Sequence, residues 1–469
     1  MSLLSKMGIV VVSTVFALTV YSHRLQNGIQ TRTWQTTNSH PRSTADMANK
    51  SSTALTMELA ALLLANPLPL LRPKICGPHS RNVKDVIATV ATAASVRSEN
   101  FHLAPKLLHP DTFSVAPMMD YTDKHLRYLL RLLSRHATLY TEMVVSNALV
   151  HNEDVDRWLK YNDPVEHPVV LQLGGSGIEE MKIAAAKAMR YGYDDINLNC
   201  GCPSEKVSGK GCFGAALMRE PELVADLCSA IASETGKAAT VKCRIGVDDD
   251  DSYEQLCKFI DVVSSRGGVD HFIVHARKAI LRGLTPAQNR DIPPLKYHYV
   301  YDLLEQFPNL RFTLNGGVTS YENISGHLEK GVHGVMLGRA IISQPWKWST
   351  VDSMVFGAES DPAENRRRVL EDYAVYVEEE IARHCASAEK EVNVHKIRRL
   401  MLRHVLNLFH GEPNGKVFRA KLSDLLLRKD LSAGEILEGA AEVLRPETLD
   451  SAPGEVFDYD SGTYGAAKK

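Results

Sequence analysis

The 469-residue chain has little of several features that would narrow its class at once. Its eight cysteines are too few for a disulfide framework in a chain of this length, so reduced thiols are expected. Its net charge of −2 is too small to identify the kind of partner that the chain binds. Hydrophobic residues make up 44% of the chain and charged residues 23%, which excludes wholesale disorder and a polytopic membrane protein. The chain is therefore expected to form one large globular domain with appendages.

The first 110 residues differ from the rest in charge and composition. They carry eleven basic and four acidic side chains, a balance of +7, whereas the remainder has a balance of −9. An apolar run over residues 8–21 is too short for a comfortable membrane span, and the stretch after it is basic, hydroxylated and poor in acids. Residues 1–110 are thus predicted to be a presequence for a plastid or mitochondrion. The alternatives are a disordered extension, with a cytoplasmic protein, and a membrane anchor; no stable membrane association is expected.

After Pro110, short apolar runs alternate eight times with amphipathic helical stretches. The predicted strands cover residues 113–118, 139–143, 169–173, 195–199, 239–244, 271–275, 311–314 and 334–337. Eight βα units in about 230 residues predict an α/β fold, a TIM (β/α)8 barrel over residues 111–360. A doubly wound sheet is the alternative. It would place a glycine-rich turn after the first strand, where this chain has Pro117-Met118-Met119-Asp120.

The carboxyl ends of these strands carry polar groups, and active sites of TIM barrels lie at those ends. Two turns, Asn315-Gly316-Gly317 and Gly338-Arg339, follow the last two strands, and each is expected to open a helix. Backbone N–H groups beside an arginine are typical of a phosphate site, either for a phosphorylated substrate or for a cofactor such as FMN. The alternative is that the glycines only permit tight turns.

Two other strand ends suit a flavin ring, and a third is ambiguous. Lys242 can stabilise the anionic reduced ring, and Gln172 can hydrogen-bond its pyrimidine edge. Lys242 can equally form a Schiff base or an ion pair. His275 is compatible with phosphate binding, with donation to a substrate carbonyl and with a core position.

The fourth predicted strand ends in two amides, and a cysteine-containing loop follows it. Asn197 and Asn199 alternate with apolar residues, so both are expected to face the barrel interior. A zinc site of Cys200, Cys202 and Cys212 lacks a C-x2-C pair or a histidine, and a thiol acting as proton donor is favoured instead. No metal is expected here, nor at residues 248–251, whose four aspartates predict a solvated loop.

Eight segments, in this order, resemble the tRNA-dihydrouridine synthases, and most closely their A-type subfamily. They are PMMDYTD, LYTEMV, VVLQLGG, INLNCGCPS, VKCRIG, HARK, LNGGV and LGRA, between residues 114 and 427. The resemblance implies an FMN-containing barrel that reduces the C5–C6 double bond of a D-loop uridine, at position 20 or 20a of tRNA. It also implies NADPH as the electron donor that re-reduces the flavin.

The resemblance implies a role for individual residues as well. Cys202 corresponds to the general acid that protonates C5 after hydride reaches C6, and Asn199 to a contact with flavin or target base. The implied FMN-binding residues are Pro117, Met118, Met119, Gln172, Lys242, His275, Asn315, Gly316, Gly317, Gly338 and Arg339. A thiol suits the acid role because its ordinary pKa, near 8.5, keeps it protonated at neutral pH.

Residues 361–445 are predicted to form an all-helical tRNA-binding domain, followed by a disordered tail over residues 446–469. Residues 391–430 carry nine basic and four acidic side chains. A helix predicted over 395–409 places Ile397, Leu400, Met401, His404 and Leu408 on one face, and Lys396, Arg399 and Arg403 on another. The predicted tRNA contacts are Arg290, Arg399 and Arg403; the alternative is a solvated basic face.

The expected protein is a monomer, and two other functions remain open. One is a free-pyrimidine flavoenzyme such as a dihydroorotate dehydrogenase, which would not need the basic helical domain. The other is a non-catalytic RNA-binding protein on a degenerate barrel, which would not need Cys202, Lys242 and His275 together.

Overall fold

The computed structural model describes residues 109–204, 213–387, 392–459 and 461–466. The predicted presequence therefore lies outside the described residues, and so does Cys212. Across the described ranges, no helix is both long and apolar enough to cross a membrane.

Eight parallel strands close into a barrel in chain order, with the eighth strand beside the first. They are β1 (Phe113–Val115), β2 (Thr138–Val145), β3 (Val169–Gly174), β4 (Asp195–Cys200), β5 (Thr240–Arg244), β6 (His271–His275), β7 (Arg311–Asn315) and β8 (Gly334–Leu337). The register places Gln172 beside Asn197, and Asn199 beside Lys242. The predicted TIM barrel is confirmed.

The largest difference from the predicted strands is at β1, which ends at Val115 and not at Met118. The backbone N–H of Met118 donates to the Thr122 hydroxyl, and the Met118 carbonyl accepts from the N–H groups of Tyr121 and Thr122. These local bonds turn the chain away from the sheet as soon as it leaves the barrel.

In the part of the barrel that the structure describes, ten helices follow the strands. They are α1 (Lys124–Leu133), α2 (Ser146–Val150), α3 (Asp156–Leu159), α4 (Ile178–Met189), α5 (Pro221–Thr235), α6 (Tyr253–Gly267), α7 (Tyr297–Gln306), α8 (Tyr321–Leu328), α9 (Arg339–Ser343) and α10 (Val351–Phe356). Local sequence sets several of their ends. Asp123 caps α1 by accepting from two backbone N–H groups, Ser252 and Gln255 form a capping box on α6, and Gly236 ends α5 in the left-handed conformation.

Inside the barrel, a small apolar cluster of Ala116, Tyr140, Val170, Ile273 and Met336 is separate from the larger core between strands and helices. Side chains two residues apart on a strand point the same way. Gln172 and His275, which follow Val170 and Ile273 by two residues, therefore lie above this cluster. This apolar cluster fills the barrel interior below the polar residues at the carboxyl ends of the strands.

A helical region follows the barrel, as predicted. Its helices are α11 (Arg366–Ser387), α12 (Val394–Leu402), α13 (Gly415–Leu425), α14 (Ala433–Ala441) and α15 (Pro446–Asp450), with a 3-10 turn at Arg403–Asn407. Arg366 is 2% exposed, and its guanidinium lies 4.6 Å from the Trp346 ring centroid. It also donates to the Thr448 carbonyl and the Ser451 hydroxyl and pairs with Glu412. This arginine joins the end of the barrel to the last helices.

The predicted helix over residues 395–409 differs from the structure in its inward face. Leu400 is 42% exposed, whereas Arg398 and Met401 are buried. The Arg398 guanidinium lies 3.4 Å from a carboxylate oxygen of Glu378 on α11. Because this ion pair turns Arg398 inward, the buried face is rotated away from Leu400.

The structure also differs from the predicted disordered tail. After α15, strands β9 (Glu455–Asp458) and β10 (Thr463–Ala466) form an antiparallel hairpin. The Tyr464 hydroxyl donates to Glu412, at 2.5 Å, and to the Thr448 hydroxyl, at 2.9 Å. Thr448 and Leu449 are buried. A few specific contacts thus order a segment whose average composition is polar.

Candidate active site

A cavity of about 1040 Å³ opens at the carboxyl ends of the strands. Of the predicted site residues, its lining includes Pro117, Met118, Met119, Gln172, Asn199, Cys202, Lys242, His275, Arg290, Asn315, Gly316, Gly317, Gly338 and Arg339. Arg399 and Arg403 are not in the lining. The structure therefore brings together every predicted cofactor residue and the predicted acid, together with two of the four predicted substrate contacts.

Three buried amides are joined in a row across β3 and β4. Asn199 Nδ2 donates to Gln172 Oε1 at 2.9 Å, and Gln172 Nε2 donates to Asn197 Oδ1 at 2.8 Å. Asn197 Nδ2 donates in turn to the Thr240 hydroxyl at 3.0 Å. Because every amide in the row has partners, the orientation of each is fixed.

Asn199, at one end of this row, also holds the loop that carries Cys202. Asn199 Oδ1 accepts from the backbone N–H groups of Gly201 and Cys202, each at 3.0 Å. Arg244 Nε donates to the Gly201 carbonyl at 3.0 Å, and the Cys202 carbonyl accepts from the N–H of Ala215. The free thiol of Cys202 is partly exposed in the cavity.

Cys200, in contrast, is fully buried in the main core. The zinc alternative needed it together with Cys212, which lies outside the described residues. No group of three or more His, Cys, Asp or Glu side chains within the described ranges is arranged to hold a metal ion.

Lys242 lies in the cavity with an amide as its hydrogen-bond partner. Its Nζ donates to Asn315 Oδ1 at 3.0 Å, and Asn315 Nδ2 donates to the Met336 carbonyl at 2.7 Å. No carboxylate of the described residues pairs with it. Burial lowers the pKa of Lys242 to about 8, and repulsion from Arg244 acts in the same direction. The site thus contains an ammonium group without an anionic partner.

His275 is buried beside this ammonium group. Burial, followed by the charges of Arg244 and Lys242, holds the pKa of His275 well below its usual range. The imidazole is therefore neutral at pH 7 and can act only through hydrogen bonds and packing.

The glycine turn after β7 packs directly against His275. Gly316 has a φ of 110°, and a Cβ on it would lie 2.8 Å from Cδ2 of His275. Gly317 has a φ of 73°, and a Cβ there would lie 2.5 Å from the Tyr297 hydroxyl. Both positions need glycine for conformation and for space. This turn does not open a helix directly, contrary to expectation, because α8 begins only at Tyr321 after its cap Ser320; Gly338 does cap α9.

Positive charge dominates the lining. Among the described residues, its cationic side chains are Lys242, Arg244, Arg290, Arg339 and Lys347, and its one carboxylate is Asp120. Arg339 is half exposed and donates to both carboxylate oxygens of Asp291, at 2.7 and 3.1 Å. Arg290 is exposed and forms no ion pair with any residue in the described part of the chain. The cavity is therefore suited to an anionic ligand.

Arg399 and Arg403 are found in different settings. Arg399 is exposed on α12. Arg403 Nη2 donates to the Asp120 carbonyl at 2.6 Å and lies 3.3 Å from Oδ2 of Asp123. Arg403, which is partly exposed, thus joins the helical region to the loop after β1, and its predicted contact with tRNA stays a prediction.

Asn197 and Arg244 lie at strand ends in the sequence but were assigned no role in the site. Asn197 anchors the amide row. Arg244 is buried and bonds the carbonyls of Gly201, Lys278 and Asn289. Arg244 follows Lys242 by two residues at the end of the same strand, so the alternation of a strand was the signal that would have found it.

A closed parallel barrel with a cationic, amide-lined cavity at the carboxyl ends of its strands defines a TIM-barrel protein with a site for an anionic cofactor or substrate. Comparison with known proteins narrows this class. The chain matches the sequence model of the family described as dihydrouridine synthase (Dus) over residues 114–442.

Curated relatives agree. The chain is 41% identical over 344 residues to the tRNA-dihydrouridine(20/20a) synthase of Vibrio vulnificus (strain CMCP6), covering 73% of this chain and 100% of that protein. It is 45% identical over 329 residues to the enzyme of the same name from Xanthomonas axonopodis pv. citri (strain 306), covering 70% and 92%. The chain belongs to the dihydrouridine synthase family, and the resemblance found in the sequence is confirmed.

Proposed function

We propose that this protein reduces the C5–C6 double bond of a uridine in the D-loop of tRNA, at position 20 or 20a, with FMN as cofactor and NADPH as electron donor. Its family and the names of its curated relatives support this function. The observation that carries it is the meeting, in one cavity, of an ammonium group that pairs with no carboxylate of the described residues, an ordered row of amides and a free thiol.

The cavity residues fit FMN. FMN combines an anionic phosphate with a flat ring whose edge carries hydrogen-bond donors and acceptors. The described residues of the lining supply five cationic side chains against one carboxylate, and amide groups that are already oriented. The cavity volume of about 1040 Å³ lies just above the range of roughly 300–1,000 Å³ for small-molecule sites, which suits a cofactor together with a base.

The assignment of residues to this cofactor is the one that the family resemblance implies, and it is supported by the fact that all of these residues line the cavity. In the proposed complex, Lys242 and Gln172 bind the ring, and Pro117, Met118 and Met119 line it. The residues proposed for the phosphate side are His275, Asn315, Gly316, Gly317, Gly338 and Arg339. When bound, FMN supplies the hydride for reduction of the uracil ring, and NADPH supplies the reducing equivalents.

Cys202 is proposed to supply the proton. As C6 of the uracil gains a hydride, C5 must gain a proton, and a thiol is protonated at neutral pH and can give it up. Asn199 positions the thiol indirectly, since its Oδ1 holds the backbone N–H groups of Gly201 and Cys202. The same amide bonds Gln172, so the acid and the ring-binding amide are held in a common frame.

The RNA is proposed to reach this cavity from the side of the helical region. The target base must leave its stack to enter a cavity inside the barrel mouth. Arg290 at the rim and Arg399 on α12 are the proposed contacts to the RNA backbone, because both are exposed cations. The predicted monomeric state and organellar compartment stay predictions.

The test uses the purified full-length protein. Its visible spectrum is recorded, NADPH and unmodified tRNA are added, and dihydrouridine is measured by mass spectrometry. We expect the absorption of a bound flavin and new dihydrouridine at position 20 or 20a. Flavin with reduction of a free pyrimidine but not of tRNA would favour a dihydroorotate dehydrogenase-like enzyme. A protein that binds no flavin would contradict the interpretation of the cavity.

A further inference from the structure

The loop between β1 and α1 presents two large apolar side chains at the rim of the cavity. Met119 is 54% exposed and Tyr121 is 49% exposed, and both belong to the lining. The proposed chemistry gives Tyr121 no task. An aromatic ring kept in contact with water at the opening of a polar cavity is a candidate binding surface.

The backbone of this loop is fixed from two directions. Asp120 adopts a φ of 65°, which is unusual for a residue with a side chain. Its N–H donates to Glu142 Oε1 at 2.6 Å, and its carbonyl accepts from Arg403 at 2.6 Å. Both peptide groups around Asp120 are therefore held, one by β2 and the other by the helical region.

Local bonds complete the loop. The N–H groups of Tyr121 and Thr122 both donate to the Met118 carbonyl, at 3.1 and 2.9 Å. The backbone on each side of the Tyr121 ring is thus ordered before any ligand arrives. A ring on an ordered backbone loses little conformational entropy when a ligand packs against it.

A guanidinium group belongs to the same cavity lining as this ring. Arg290 lines the cavity together with Tyr121, and Arg339 Nη2 donates to the Arg290 carbonyl at 3.2 Å. An aromatic face beside a cation is how proteins bind unpaired nucleotides, since the ring stacks on the base and the cation contacts the phosphate. Extrusion of one base also leaves its neighbours with an unstacked face.

We propose that Tyr121 stacks on the nucleobase next to the target uridine and that Arg290 contacts the phosphate between the two nucleotides. This inference rests on the proposed function and specifies its substrate. The RNA must present, beside the uridine, an unpaired base that is free to stack. Glu142 and Arg403 hold the loop that carries the ring.

The first test compares variants at Tyr121 by steady-state kinetics with tRNA. Tyr121→Ala and Tyr121→Leu should raise KM for tRNA about tenfold, because stacking on one base is lost, whereas Tyr121→Phe should stay near the wild type. Leu retains apolar bulk without an aromatic face, so it separates stacking from simple burial. Tyr459→Ala is the matched control, because Tyr459 is an exposed tyrosine outside the cavity lining. Flavin absorption per protein reports that each variant is folded.

The second test measures stacking directly. A D-loop RNA carries a fluorescent purine analogue next to the target uridine, and its emission is followed on titration with protein. Wild type and Tyr121→Phe should quench the analogue, while Tyr121→Ala and Tyr121→Leu should not. Equal quenching and equal KM in wild type and Tyr121→Ala would overturn the inference while dihydrouridine formation still stood. If the wild type formed no dihydrouridine, the proposed function would fail, and the quenching would still decide whether Tyr121 stacks.

Discussion

At the residue scale, the ammonium group of Lys242 lies in the cavity with an amide oxygen of Asn315 as its hydrogen-bond partner. Burial lowers its pKa to about 8, so its charge is lost within a mildly alkaline range. A bound anion would favour the charged form. The affinity of the site for an anionic cofactor should therefore depend on pH.

We expect the affinity for FMN to fall as the pH rises from 7 to 9.5, because the free protein loses the Lys242 charge above a pH of about 8. Lys242→Arg keeps its charge throughout this range and should remove the dependence, whereas Lys242→Met should bind weakly at every pH. The dissociation constant is measured by quenching of FMN fluorescence. Parallel pH curves for wild type and Lys242→Arg would contradict the assignment.

Cys202→Ala should lower the rate of dihydrouridine formation by about 10²–10⁴-fold, the usual contribution of a general acid. Asn199 bonds the backbone of this loop and not the thiol, so the cavity should survive the change. The rate is measured in single turnovers, and reduction of the flavin by NADPH is followed separately. Cys385→Ala, at an exposed thiol, is the control. A normal rate in Cys202→Ala would remove Cys202 from the mechanism.

The residues of the cavity were largely predictable because they end strands, and strand ends of a barrel converge. Arg403 was not predictable in the same way. Its shorter hydrogen bond is to the carbonyl of Asp120, and every residue has a carbonyl, so no side-chain pattern indicates that bond. The row that joins Asn199 to Thr240 likewise depends on the register of neighbouring strands.

At the element scale, the arginines on and just after α12 have different surroundings. Arg398 faces inward to Glu378, Arg403 just beyond the helix is bonded to the loop after β1, and Arg399 remains exposed. Charge counting along the sequence treats all three alike. The structure separates them by the partners that other elements bring. Of these three, Arg399 alone has no ion pair with a described residue, and Lys396 on the same helix is exposed as well.

Arg399→Glu should weaken tRNA binding and make the dependence of log K on log salt about one unit shallower, because one phosphate contact is lost. FMN affinity should not change. Arg403→Ala should weaken FMN binding as well, since it frees the Asp120 carbonyl next to the cavity lining. Binding is measured by filter retention at several salt concentrations. Arg266→Glu, at an exposed arginine on α6, is the control. An unchanged salt dependence in Arg399→Glu would show that the exposed face of α12 is solvated and does not contact tRNA.

At the scale of the whole molecule, the alternation of eight strands and helices predicts the barrel. Many residues contribute to this alternation, so an error in the bounds of one strand does not change the predicted fold. The tail could not be predicted in that way. Its order depends on single contacts, such as that of Tyr464 with Glu412, which a composition average does not register.

The assembled molecule should be sensitive to mild acid. Burial lowers the pKa of His125, between barrel and helical region, to about 4, and that of His271, in β6, to about 4. Between pH 6.5 and 4 the unfolded chain binds protons at these groups and the folded chain does not, so the free energy of unfolding falls with pH. The loss should be about 2 kcal/mol for each histidine between pH 7 and pH 5.

Urea unfolding at pH 7, 6 and 5 measures this loss. His271→Gln removes one of the two groups and should reduce the pH dependence, while Thr313 can still bond the new side chain. A free energy of unfolding that is constant between pH 7 and pH 5 would contradict the prediction.

The bond from Arg403 to the Asp120 carbonyl also has an evolutionary consequence. A main-chain acceptor persists whichever side chain occupies position 120, so a change there need not be matched by a change at position 403. The two positions can then vary independently across a lineage. Methods that infer spatial proximity from correlated substitutions could detect the ion pair of Arg403 with Asp123 but would miss the bond to the Asp120 carbonyl.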